Sequence, residues 1–193
     1  MRDDAIRLAL IGSANDAAGA RAEALGRKWG ARTFDDALTI FAQHADKKAR
    51  EIGMQNSHFI NGTGLDENGH DTTARDLFLL IDYLWKRHHK LWRMTQERRV
   101  VVATRPDGSR PPADTISPTS IVMSSTNKLL DEFPAILGGK TGWTDEAGET
   151  IGFLYPVRKD PATLGIAAIV ILGSQDRFED GRKIIRWLEE AFP

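Results

Sequence analysis

Cysteine is absent from all 193 positions, which excludes a disulfide framework, a thiolate nucleophile and any metal site built on thiolates. A basic excess is missing too: 26 Lys and Arg stand against 27 Asp and Glu, for a formal net charge of -1. A general nucleic-acid binder usually carries a marked positive balance, so the charge argues against that class. No apolar run is long enough to span a bilayer. The longest, residues 164–172, is about half of the roughly 20 residues such a span needs and reads as a buried strand. The opening MRDDAIRLALIG sets two acids ahead of a short apolar run, which is not the form of a signal peptide. His-Glu-x-x-His spacing does not occur, and His88 and His89 are helical neighbours pointing about 100° apart, so no metal pair is expected. There is no internal repeat and no low-complexity tract. What remains is the composition of a globular domain, 41% apolar and 27% charged, in a chain long enough for one core or two small lobes.

The first half reads as helical. Residues 3–11 are a short apolar-periodic segment, and residues 16–29 are Ala-rich. Thr33 then opens a stronger helix, with Asp36 completing a capping-box variant. Leu38, Phe41, Ala42, Ala45, Ala49 and Ile52 share one face of it, and Gly53 supplies the stop. Residues 61–70 are rich in Gly, Asn and Asp and form a loop. Thr72 or Thr73 caps a second helix, with Leu77, Leu80, Ile81 and Leu84 as its buried stripe. The run Lys86-Arg87-His88-His89-Lys90 reads as a solvated helix end, where cations suit the dipole. From about residue 98 the pattern changes: residues 100–104 suggest a strand and Arg105-Pro106-Asp107-Gly108 a turn. Residues 138–142, 150–156 and 163–172 are further strands, the last two joined as a hairpin through residues 158–161. The chain closes on an amphipathic helix with Ile184, Leu188, Ala191 and Phe192 on one side. The expected class is α/β: a helical lobe over 1–97, then an antiparallel sheet with a C-terminal helix over 98–193. The five tryptophans are scattered and read as core or lobe-interface residues.

Two tripeptides carry chemistry. Ser13-Ala14-Asn15 ends the first helical segment, and Lys140-Thr141-Gly142 sits at the start of a strand. A serine hydroxyl near a lysine can relay a proton, and an asparagine amide can hold a substrate peptide group. A Lys–Thr pair on an exposed strand offers a cation and a hydroxyl to a carboxylate, while the strand edge pairs with substrate backbone. Gly142 lets a ligand approach closely. Each tripeptide alone is common, and Ser13 and Asn15 could equally cap a helix.

Their context is more specific. His58-Phe59-Ile60-Asn61-Gly62-Thr63-Gly64-Leu65, Thr73-Ala74-Arg75-Asp76-Leu77, Ser125-Thr126-Asn127-Lys128-Leu129-Leu130 and Gly139-Lys140-Thr141-Gly142-Trp143-Thr144 follow Ser13-Ala14-Asn15 in order. This series resembles the serine D-alanyl-D-alanine carboxypeptidases, low-molecular-mass penicillin-binding proteins whose signature includes S-x-N and K-T-G motifs. Gly62 stands where the family commonly has proline. The resemblance implies a β-lactamase/transpeptidase-like fold and one partial domain over 1–193, its N-terminal part absent. The S-x-x-K motif of the nucleophile is expected before S-x-N and does not occur there. Ser125-Thr126-Asn127-Lys128 spells it, but within a block that the family already has after S-x-N. The chain alone is therefore expected to be inactive.

By the same resemblance, Ser13 is the proton-relay serine, Asn15 the substrate-amide clamp and Lys140 the source of positive charge. Thr141 binds the terminal carboxylate of D-Ala, and the backbone N–H of Trp143 is an oxyanion donor. Arg177 resembles an arginine that holds the same carboxylate, although a solvated arginine opening a helix fits that position as well. No metal or organic cofactor is implied. The implied partners are a peptidoglycan stem peptide and, as covalent inhibitors, β-lactams, with action outside the cytoplasmic membrane. A class A-like β-lactamase is the nearest alternative, but no Glu here has an Asn four residues later. A catalytically dead ligand-binding or scaffolding relative is the alternative from another class.

Overall fold

The computed structural model describes residues 2–103, 120–160 and 163–192. The expected turn at residues 105–108 lies outside them. Helices α1 (Arg2–Ile11), α2 (Asn15–Lys28) and α3 (Phe34–Glu51) follow one another. Thr33 and Asp36 make the expected capping box: Asp36 N–H donates to Thr33 Oγ1 at 3.1 Å, and Thr33 N–H to Asp36 Oδ2 at 3.3 Å. Such a cap stabilises a helix by about 1 kcal/mol. At the other end Gly53 takes φ 91°. Its N–H donates to Arg50 O and that of Met54 to Ala49 O, a Schellman closure that tucks Met54 into the core at 1% exposure. Helices α2 and α3 meet at Gly26, where an added Cβ would lie 2.0 Å from Ala37 O. Asp46 is buried on α3 because it accepts the Phe59 N–H at 2.8 Å and pairs with His58, pinning the loop that follows.

Thr73 caps α4 (Ala74–Arg87) by accepting Asp76 N–H. The stripe on α4 departs from expectation. Ile81 is buried, but Leu77, Leu80 and Leu84 are only partly so, because they border an open cleft rather than a filled core. A short helix α5 (His89–Arg93) and a 3-10 turn (Met94–Gln96) lead to β1 (Arg99–Val102). That strand pairs antiparallel with β2 (Ile121–Ser124), which the sequence pattern had not indicated. After α6 (Leu129–Glu132) come β3 (Gly139–Thr144), β4 (Gly148–Asp160) and β5 (Thr163–Ser174), an antiparallel sheet in the order β3-β4-β5. Strands β4 and β5 run past their expected ends, with Asp160 opposite Thr163.

Alternation along β4 assigns its two faces. Ile151, Phe153 and Tyr155 pack with Ile169 against Ile185 and Leu188 of α7 (Arg177–Ala191). Leu154 faces the other way, toward Ile81 and Trp92. Burying each large apolar side chain contributes about 1.5–3 kcal/mol, so α7 is fixed chiefly by this contact. The stripe on α7 runs through Gly181, Ile185 and Leu188. Of the expected stripe, Ile184 is only partly buried and Ala191 and Phe192 are exposed. The apolar pattern alone left the stripe's rotation open by one residue, and packing on β4 settled it. Among the described residues, no helix is long and apolar enough to cross a membrane.

Candidate active site

Ser13 sits in the link between α1 and α2 with φ 54°, the one non-glycine with a positive φ among the described residues. That conformation is costly for a side-chain-bearing residue and persists where surrounding contacts impose it. Here Ala14 N–H donates to Leu8 O, and Thr126 N–H to Ile11 O, so the link is held from both sides. Opposite it runs β3, an edge strand of the described sheet. Its start is anchored by Trp92 Nε1–H donating to Leu137 O at 2.6 Å and Gly139 N–H donating to Thr95 Oγ1 at 2.9 Å. These anchors bring Lys140 to Ser13: Lys140 Nζ donates to Ser13 Oγ at 2.6 Å and to Thr141 O at 2.6 Å.

Burial pushes the Lys140 amine down from 10.5 to about 8, and the nearby Arg177 guanidinium adds to the effect. Arg177 opens α7 with a side chain only 14% exposed. Its Nη1 donates to Gly142 O at 2.9 Å and lies 3.9 Å from Glu149 Oε1, and its backbone N–H donates to Glu149 Oε2. Arg177 Nε is buried without an acceptor among the described residues, so the guanidinium has donor capacity that they do not use. Thr141 is 5% exposed, and its Oγ1 lies 2.6 Å from Thr126 Oγ1.

Ser13, Lys140, Thr141, Gly142 and Arg177 thus form one connected set. Asn15, the first residue of α2, is exposed and has no hydrogen bond to another described side chain. Trp143 is 63% exposed. Ser125 is occupied elsewhere: its Oγ accepts Asn127 N–H at 3.2 Å, while Lys128 Nζ lies over the Phe178 ring. Thr126 and Glu149 went unnoticed in the sequence. Thr126 lies within a quoted block, but nothing local marks its hydroxyl, and Glu149 matters only because the fold sets it against Arg177, 28 residues on.

A cleft of about 310 Å³ opens beside the set, with Leu77, Leu80, Ile81, Leu84 and Leu91 on one side and Lys140, Gly142, Thr150 and Gly152 on the other. No group of three or more His, Asp or Glu among the described residues could hold a metal ion.

The family model for D-alanyl-D-alanine carboxypeptidases matches residues 1–153, a span that contains the Ser13–Lys140 contact. The chain belongs to that family. Among curated carboxypeptidase relatives, DacF of Bacillus subtilis is 31% identical over 183 residues, covering 94% of this chain and 40% of the relative. The D-alanyl-D-alanine endopeptidase of Pseudomonas aeruginosa is 28% identical over 192 residues, covering 97% of this chain and 54% of its own length. The chain therefore spans about half the length of the curated relatives it matches, or less. The Streptomyces K15 DD-transpeptidase superposes with a TM-score of 0.79 at 21% identity over 96% of this chain and 66% of that one. Penicillin-Binding Protein D2 from Listeria monocytogenes, in its cefotaxime-bound form, gives 0.66 at 26% identity over 96% and 65%. The fold is the transpeptidase-like one that the motif order implied.

Proposed function

We propose that this chain is a single partial serine-type D-Ala-D-Ala carboxypeptidase domain, a helical lobe over 1–97 and a sheet lobe over 98–193. The domain removes the terminal D-Ala of peptidoglycan stem peptides through an acyl-enzyme, outside the cytoplasmic membrane, and β-lactams acylate it. The observation that carries this reading is the 2.6 Å contact from Lys140 Nζ to Ser13 Oγ beside an edge strand able to pair with peptide backbone. An amine that titrates near 8 is poised to exchange a proton close to neutral pH. Ser13 then relays that proton to the amine of the leaving D-Ala. Thr141 and Arg177 hold the substrate carboxylate, Asn15 turns its amide to the substrate peptide group, and Trp143 N–H supports the oxyanion.

The nucleophile comes from a serine–lysine helix laid into the apolar cleft, which the partly buried Leu77, Leu80 and Leu84 line. That segment would also cover the buried amine of Lys140. In the complete enzyme, meaning this chain together with that segment, Lys140→Ala should lower kcat/KM for a D-Ala-D-Ala peptide by at least about 100-fold. D-Ala release measured by an amino-acid oxidase assay checks this, and a variant as active as the parent overturns the assignment.

A further inference from the structure

Thr126 is joined to both halves of the site. Its backbone N–H donates to Ile11 O at 3.1 Å, two residues before Ser13, and its Oγ1 lies 2.6 Å from Oγ1 of Thr141, the residue after Lys140. Its place is fixed locally, because the next residue's N–H turns back to Ser125 Oγ and Asn127 Oδ1 accepts Leu129 N–H. Two hydroxyls at this separation share a single proton: one donates, and the other is left with its own proton to give. Thr141 is 5% exposed and Thr126 is partly buried, so little water competes for the Thr141 hydroxyl.

We infer that Thr126 is a positioning residue for substrate carboxylate, acting through Thr141. The Thr126 hydroxyl donates to Thr141 Oγ1, which takes up the lone pair facing Thr126 and aims the Thr141 proton at the carboxylate. Chained hydroxyls polarise one another, so Thr141 also becomes the stronger donor. Arg177, tied to Gly142 O on the same strand, supplies the charge, and the hydroxyl chain supplies the direction. Thr126 thereby helps select substrates that end in a free carboxylate over those that are capped.

This inference rests on the carboxypeptidase reading above, and the experiment separates the two. In the complete enzyme, Thr126→Val should raise KM for a D-Ala-D-Ala peptide about 3- to 10-fold with kcat nearly unchanged, the size expected for one net hydrogen bond. Thr126→Ser should restore the parent KM. On a C-terminally amidated peptide the Val variant should match the parent. In a Thr141→Val background, Thr126→Val should add nothing further, because its effect passes through Thr141. Equal losses on the free and amidated peptides, additive losses in the double variant, or a KM unmoved by Thr126→Val would each overturn the inference and leave the proposed function standing. A parent enzyme that releases no D-Ala would overturn the proposed function itself, and this inference with it.

Discussion

Lys140 offers a direct physical test, because its ammonium is placed where charge is costly. Desolvation first, and repulsion from Arg177 second, bring its pKa from 10.5 to about 8. A drop of about 2.5 corresponds to roughly 3 kcal/mol between the charged and neutral forms. The sign follows from linkage. Below pH 8 the lysine is protonated in both folded and unfolded chains, so its contribution to stability is constant and unfavourable. Between about pH 8 and 10.5 the unfolded chain holds the proton that the folded chain has released, so stability rises with pH by up to about 3 kcal/mol. NMR titration of the lysine ε-carbons in the labelled 193-residue chain should show one amine with a midpoint near 8, and its signal should vanish in Lys140→Met. Arg177→Gln removes the smaller cause, so the midpoint should move up yet stay below 10.5. A Lys140 signal that titrates at 10.5, or one that moves down when the guanidinium is removed, would refute the placement of this amine.

Further outcomes test other parts of the molecule. Incubated with a fluorescent penicillin and run on a denaturing gel, the 193-residue chain should form no stoichiometric adduct; an adduct abolished by Ser125→Ala would show that Ser125 is a nucleophile after all. Gly26→Ala should destabilise the fold by about 1–3 kcal/mol, read from the urea midpoint, because the new Cβ would meet the Ala37 backbone. An unchanged midpoint would mean that α2 and α3 are not in contact there. The partly uncovered leucines of α4 should make the isolated chain self-associate in sedimentation velocity and bind a hydrophobic dye. A monomer that binds no dye would argue against an open cleft.

The sequence by itself determined the features that a few neighbouring residues can encode. The Thr33–Asp36 cap and the Gly53 stop of α3 are local hydrogen bonding and backbone geometry, and both took their expected form. The two motif tripeptides are equally local, so their identity and order were legible before any contact between them was known. Tertiary structure decided the rest, because it depends on surfaces brought together from far apart in the chain. Only packing shows that Ser13 is held at φ 54° and meets Lys140 across 127 residues, or that Thr126 finds Thr141. The depressed Lys140 amine has the same origin, since desolvation belongs to a folded environment and not to a residue type. The stripe of α7 shows the boundary most plainly: helical periodicity predicted an apolar face, but contact with Phe153 and Ile151 on β4 chose Gly181, Ile185 and Leu188 to form it.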